Sequence, residues 1–401
     1  MKLLFIADGR SPTAINWISY FVAQGQEVHL LSSFPCEPLA GLASFDVIPL
    51  AFSQAQGEGL PAGGSSLLRK VIPVGLRTRL RQWLGPLTLP KAAASLRMVI
   101  DRVQPDLVHA LRIPYEGMLA ALAFEGESQT QRFKEKIPLV VSVWGNDFTL
   151  HARSTPRMAD YTRLVLHHVD GLHTDCQRDQ RLAQEWGFDP HKAKIVLPGG
   201  GGIRMEVFHP SDASIANRPP VVINPRGFRA YVRNDTFFQA IPKVLANLPE
   251  ARFICPAMQG EVMAEKWIKE FKLSRSVDLL PRQTRQQMAE LYRQAQVVVS
   301  ITTHDGTPNT LLEALSCGCF PIAGDLESLR EWIDPGENGL LVEAGNPQAL
   351  ADAILKAMHD AAWRSRAAVH NHQLVSQRAE YGRVMGLAED FYRKLIKNEV
   401  R

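Results

Sequence analysis

Val297-Val298-Val299-Ser300-Ile301-Thr302-Thr303-His304-Asp305-Gly306-Thr307-Pro308-Asn309-Thr310-Leu311-Leu312-Glu313-Ala314-Leu315-Ser316-Cys317-Gly318 reads as a buried strand that turns directly into a helix. The opening turn of such a helix presents backbone N–H groups without intrahelical partners and the positive end of the helix dipole, so a diphosphate is well served there. In that setting Gly306 and Thr307 form the turn, Asn309 caps or orients, and the amides of Thr310 and Leu311 point at the phosphate. Asp305 precedes the helix, where its carboxylate can accept sugar hydroxyls. Glu313 lies one turn in and can accept both hydroxyls of a ribose. The bland alternative is an ordinary strand-turn-helix with two solvated acids.

Outward from this segment the chain alternates strand and helix signals. In the amino-terminal half, strand runs occur at Lys2–Ala7, Val28–Ser33, Asp106–Leu111, Leu139–Trp144, Gly171–Asp175 and Lys194–Leu197. The carboxyl-terminal half adds Val221–Asn224, Arg252–Cys255, Val277–Leu280, Phe320–Ala323 and Gly339–Val342. Amphipathic stretches between them predict an α/β protein with parallel, doubly wound sheets. With 401 residues, beyond the ~250–300 of one ordinary core, two Rossmann-like domains are expected. We place them at 1–208 and 219–375, with a polar linker around 209–220. A long helix from Val375 to Asn398 is expected to return to the first domain, completing it over 376–401. The Gly-, Gln- and Ser-rich run Ser53–Ser66 reads as a surface loop.

Composition narrows the function classes. Charged residues make up 21% and the formal net charge is +4, far from the footprint of a nucleic-acid binder. The five cysteines are odd in number and mostly scattered, which fits a reducing cytosol. Cys317-Gly-Cys319 alone is weak as a metal site. The apolar run at the start of the chain is too short for a signal peptide or a span. The expected location is therefore cytoplasmic or peripheral to the inner membrane face, not integral. Such contact would run through residues 69–83, where Arg69, Lys70, Arg77, Arg79 and Arg81 interleave with apolar residues; a solvated amphipathic helix is the alternative. Periplasmic binding proteins share a two-Rossmann plan but need a secretion signal.

The deciding segment resembles glycosyltransferase family 4, whose members carry Glu-x7-Glu followed by Ala-x-x-x-Gly-x-Pro. Here Asp305-x7-Glu313 is followed by Ala314 and Gly318, with Pro321 one residue late and Phe320 in the proline position. Asp334-Pro-Gly-Glu-Asn338-Gly339-Leu-Leu-Val342 is similar to a further family strand, and the resemblance is strongest from Val277 to Ile354. It implies a GT-B fold: two Rossmann-like domains facing across a cleft, a nucleotide-sugar donor on the second and the acceptor on the first. It also implies a retaining transferase of glycan biosynthesis, with the nucleotide diphosphate sugar as co-substrate and no further cofactor.

Arg226 matches the family's arginine after the first strand of the donor domain, while Tyr231 stands where the family has lysine. Arg233 is the best substitute for that cation and Arg229 the next; Arg is well suited to phosphate. The chain contains no Asp-x-Asp, the motif by which another transferase class holds a metal, so metal-independent transfer is expected. Arg282, beside Pro281, falls in the expected base pocket. On the acceptor side we place Asp8, Gly9 and Arg10 after the first strand, Trp144 and Asp147 after another, and His109 with Arg112 after a third. The alternatives there are a core Trp, a helix-capping Asp and a buried, hydrogen-bonded His. Trp144 replaces a family His, and Arg204 a family Asp after Gly199–Gly202.

In the implied mechanism Arg226, a second Arg and helix amides stabilise the leaving diphosphate, which takes the acceptor proton. Asp305 and Glu313 position and bind. The acceptor is a glycan, a lipid-linked or a small molecule. Two other readings compete: a nucleotide-sugar-binding pseudoenzyme, and a related epimerase or phosphorylase.

Overall fold

The structure is a computed structural model and describes residues 1–50, 74–125, 136–211 and 215–398. The expected loop Ser53–Ser66 lies outside the described residues, as do Arg69, Lys70 and the side chain of Arg77. The chain divides into two compact units, Met1–Gly201 with Arg383–Arg401, and Gly202–Gly382.

The first unit holds β1 (Lys2–Ala7), β2 (Glu27–Ser32), β3 (Ser44–Val47), β4 (Leu107–Ala110), β5 (Leu139–Val143), β6 (Gly171–Thr174) and β7 (Ala193–Val196). They pair in parallel in the order β3-β2-β1-β4-β5-β6-β7. The second unit holds β8 (Val221–Ile223), β9 (Arg252–Cys255), β10 (Val277–Leu279), β11 (Val297–Ser300), β12 (Phe320–Gly324) and β13 (Leu340–Val342). These are also parallel, in the order β10-β9-β8-β11-β12-β13. β3 was not expected; four residues at a sheet edge, none fully buried, carry too little apolar pattern to read.

Both faces of each sheet are covered, which is why their strands read as continuous apolar runs. In β11, Val297 and Val299 pack with Phe237, Phe253 and Ile354 on one face. Val298 points the other way, to Leu311, Leu315 and Tyr292. Each such side chain contributes about 1.5–3 kcal/mol on burial.

Two expectations change. The polar stretch 209–220 is not a free linker, because the units part at Gly201 and Gly202. Arg218 is buried in the second unit and donates to the carbonyls of Ala295 at 2.9 Å and Cys317 at 2.7 Å. The single long terminal helix is two, Ala361–Ala379 and Tyr381–Ile396. Glu380 is extended between them, and Ile203 binds both ends of the break, donating to Ala379 O at 2.6 Å and accepting from Tyr381 N at 3.0 Å. From Arg383 onward this last helix belongs to the first unit, where the Tyr392 ring stacks on Phe21 at 5.0 Å.

Candidate active site

Strand order in the second sheet reverses between β8 and β11, and open parallel sheets bind ligands at such a switch point, beyond the carboxyl ends of the strands. The loops leaving these two strands carry Arg226 and Asp305. A short antiparallel bridge between Val232 and Thr302 ties the loops together, with Thr303 N donating to Tyr231 O at 2.9 Å. Arg226 is 6% exposed; its Nη2 donates to Asp305 Oδ2 at 2.5 Å and its Nη1 to Thr310 Oγ1 at 3.2 Å. The turn beneath it is clamped by two buried asparagines. Asn224 Nδ2 donates to Asn234 Oδ1 at 3.0 Å, and Asn234 Nδ2 to Gly227 O at 2.9 Å.

The structure thus brings Arg226, Asp305 and Thr310 together. Arg233 it directs elsewhere: both its Nε and Nη2 donate to Asp235, at 2.8 and 2.7 Å. Arg229 donates to the Tyr231 hydroxyl at 3.2 Å. Its pKa is raised, by Tyr231 foremost and in smaller part by Asp305, so Arg229 is a second arginine that senses the Asp305 carboxylate. The turn 305–308 is held from the segment after β12. Ser328 Oγ donates to Asp305 O at 2.8 Å and Trp332 Nε1 to Thr307 Oγ1 at 3.0 Å, with Gly306 buried between.

The helix Asn309–Ser316 is capped by Pro308 without a side-chain bond, so Asn309 does not cap; it is the first helical residue. Leu311 is also corrected as a phosphate donor. Its amide bonds Pro308 O at 3.0 Å and its side chain is in the core, because the first turn tightens onto the proline carbonyl. Asn309 and Thr310 keep the amides that no preceding turn can accept, and no acid occupies this first turn. Glu313 accepts from the Tyr292 hydroxyl at 3.4 Å. Burial pushes its carboxyl up to about 7, against the opposing pull of Arg285 and Tyr292. Arg282 is exposed in the loop before the helix Arg285–Gln294. Cys319 donates to Tyr292 O at 3.1 Å and burial pushes its thiol up to about 12, the setting of a packing residue.

In the first unit the order reverses between β1 and β4. After β1, Arg10 forms a bidentate pair with Asp8, at 3.0 and 3.1 Å. Gly9 donates to Ser32 Oγ at 3.1 Å, and a Cβ there would stand 2.6 Å from Cys36 Sγ. Arg112 lies over the Trp144 ring at 5.1 Å. Two acceptor-side expectations fail. Asp147 is 1% exposed: one oxygen takes Arg112 at 2.8 Å and the other the amides of Ile113 and Trp144, both at 3.1 Å, so it braces two loops. His109 is fully buried on β4, bonded to the Tyr392 hydroxyl and, at 2.9 Å, to Ser142 Oγ. It belongs to a buried chain running from Trp17 Nε1 through Tyr392, His109, Ser142 and His173 to Leu197 O. Trp17 only donates and the carbonyl only accepts, so the direction of every bond follows, and both histidines are neutral with their protons on Nε2. Sequence reading missed Tyr292, Arg285, Ser328, Trp332 and the asparagine pair. Arg285 alone carried a signal, three residues beyond Arg282.

The description "Glycosyl transferase 4-like domain" matches residues 11–199, and "Glycosyl transferases group 1" matches residues 208–373. A D-inositol 3-phosphate glycosyltransferase of Streptosporangium roseum is 24% identical over 225 residues, covering 51% of this chain and 49% of that protein. One from Corynebacterium urealyticum is 26% identical over 196 residues, covering 44% and 46%. The chain thus spans about half the length of the curated relatives it matches. Among solved structures, sucrose-phosphate synthase from Thermosynechococcus elongatus superposes with a TM-score of 0.74 at 16% identity, covering 99% of this chain and 100% of that one. Anabaena HepE in complex with UDP and glucose gives 0.72 at 16% identity, covering 97% and 98%. With two parallel-sheet α/β units, these structural neighbours and family matches over both halves, the chain belongs to the family 4-like glycosyltransferases and has the GT-B fold.

Proposed function

We propose that this chain transfers a sugar, with retention of configuration and without a divalent metal, from a nucleotide diphosphate sugar to an acceptor. The observation that carries the reading is Arg226, held at the switch point against Asp305 and Thr310 beside the open start of the helix Asn309–Ser316. HepE, of the same fold, is known in complex with UDP and with UDP-glucose. In the proposed mechanism the diphosphate takes the Arg226 guanidinium and the amides of Asn309 and Thr310, with Arg229 as second cation. Asp305, displaced from Arg226, accepts sugar hydroxyls, and Glu313 accepts those of the ribose. Fixed donors aimed at the leaving phosphate stabilise the charge that develops there, and its oxygen takes the acceptor proton.

A thermal-shift panel of UDP, GDP and ADP sugars, with and without EDTA, tests the donor site. A ligand at ~100 times its dissociation constant adds ~2.7 kcal/mol. The expected result is a shift with one nucleotide that ignores EDTA and is lost in Glu313→Ala. Absence of any shift overturns the donor reading. A shift without transfer to any acceptor assigns a nucleotide-sugar-binding protein, and epimerisation of the donor alone assigns an epimerase.

The acceptor classes remain a glycan, a lipid-linked molecule and a small molecule, and the proposed location is cytoplasmic. No helix among the described residues is long and apolar enough to cross a membrane. The proposal includes peripheral contact through the helix Val74–Leu84, which leaves Leu80, Trp83 and Leu84 exposed beside Arg79. Apolar side chains among cations suit an anionic bilayer. Flotation with phosphatidylglycerol vesicles at low salt, absent in Trp83→Ser, is the expected result; no flotation at low salt removes this contact.

A further inference from the structure

The side chain of Arg81 is a cation clamped between two rings. Its guanidinium carbon lies 5.0 Å from the Phe34 centroid and 4.5 Å from that of Tyr115, and the Tyr115 hydroxyl donates to Arg81 O at 2.9 Å. Its Nε is buried without a hydrogen-bond partner, and among the described residues no carboxylate forms an ion pair with it. Further positive charge surrounds it. Arg10 stacks on the same Phe34 ring at 3.6 Å. Burial raises the Tyr115 hydroxyl to about 12, while Arg81 and Arg112 both pull it down. The helix Pro12–Ala23 begins just beyond Arg10 with no acid in its first turn.

The neighbouring acids are engaged otherwise. Asp8 pairs with Arg10 and Asp147 with Arg112. Glu116, 2% exposed, accepts from the Ser33 hydroxyl through Oε1. Burial raises its pKa, and its other oxygen, Oε2, is buried with no partner. Burial disfavours its ionised form, against the pull of Arg112, the Ser33 hydroxyl and Arg81. All of these groups lie on loops beyond the carboxyl ends of β1, β2, β4 and β5, around the switch point of the first sheet, or on the helix Val74–Leu84 packed against them.

We propose that Arg81, with Arg10 on the shared Phe34 ring, binds a phosphoryl group of the acceptor. The site deepens the transferase reading and rests on it. A guanidinium fork suits phosphate, and the two rings hold it ready at little further cost in side-chain entropy. Two sources share this chemistry, a soluble phosphorylated polyol and the headgroup phosphate of a lipid.

The test is calorimetric titration, at constant ionic strength, with glycerol 3-phosphate, glycerate and glycerol. Binding to phosphatidylglycerol vesicles is measured alongside, using wild type, Arg81→Met and Arg81→Lys. Methionine keeps the apolar stem between the rings. The expected result is saturable binding of glycerol 3-phosphate well above glycerate, weakened on the order of tenfold or more in Arg81→Met and partly retained in Arg81→Lys. Arg81-dependent binding of the soluble phosphate alone places the source in solution; Arg81-dependent binding of vesicles alone places it in the bilayer. Equal affinity of wild type and Arg81→Met, equal affinity for glycerate, or no saturable binding in either arm overturns the proposal. UDP titrated against the same proteins reads the donor site separately, so loss of UDP binding with the phosphate arm intact refutes the transferase reading and not this site.

Discussion

Replacing Asp305 by Asn separates the two states of the donor site. In the ligand-free protein Asp305 neutralises Arg226, with side-chain exposures of 14% and 5%. Removing one partner of a fully enclosed pair costs about 3–5 kcal/mol, because the other charge stays buried without compensation. Here the amide oxygen still accepts from Arg226 and Asp305 keeps some solvent, so about 2 kcal/mol is expected. At roughly 2–4 °C per kcal/mol for a unit of this size, melting should fall by about 4–8 °C. UDP should act in the opposite direction: its diphosphate no longer competes with a carboxylate for Arg226, so the UDP-induced shift should exceed that of wild type while sugar transfer is lost. Differential scanning fluorimetry with and without UDP reads both effects. An unchanged melting temperature, or a UDP shift no larger than wild type, would refute the idea that Asp305 holds the arginine for the diphosphate.

Four further outcomes are expected. Glu313 has a folded pKa raised to about 7, so its contribution to stability is full below about 4.5 and lost as pH rises through 7. Ribose hydroxyls favour the ionised form, so UDP affinity should rise between pH 6 and 8, and a profile as steep in Glu313→Gln would sink this. Tyr392→Phe leaves Trp17 Nε1 and His109 Nδ1 unpaired, costing about 2 kcal/mol with the UDP shift unchanged. Burial holds His109 well below its usual range and His173 down to about 4, so the stability they confer is present above about 6.5 and lost as pH falls towards 4; a melting profile of the first unit that is flat between pH 6.5 and 4 contradicts it. Gly9→Ala forces a Cβ to within 2.6 Å of Cys36 Sγ and 2.9 Å of Ser32 Oγ, lowering stability by about 1–3 kcal/mol in chemical denaturation; a neutral substitution would show that this turn gives way.

Much of the fold is written in local pattern. Strands buried on both faces are continuous apolar runs, and twelve of the strands from β1 to β13 follow such runs to within about two residues. Only β3, with its half-buried edge pattern, lacks that signal. The acid spacing of Asp305 and Glu313 and the arginine after β8 were equally legible, since motif residues sit where a strand ends and a helix begins. Side-chain pairing was not, because partners distant in sequence choose it. Asp235 engages Arg233, the Pro308 carbonyl takes the Leu311 amide, and Arg112 with two backbone amides encloses Asp147. His109 was equally suited to a site or a core until Tyr392, 283 residues away, came to bond it. The sequence by itself determined which elements form and which residues stand at their ends. The tertiary structure alone decided which of those residues keep a charge or an amide open to a ligand, because each polar group in a low-dielectric interior goes to whichever partner the fold brings within reach.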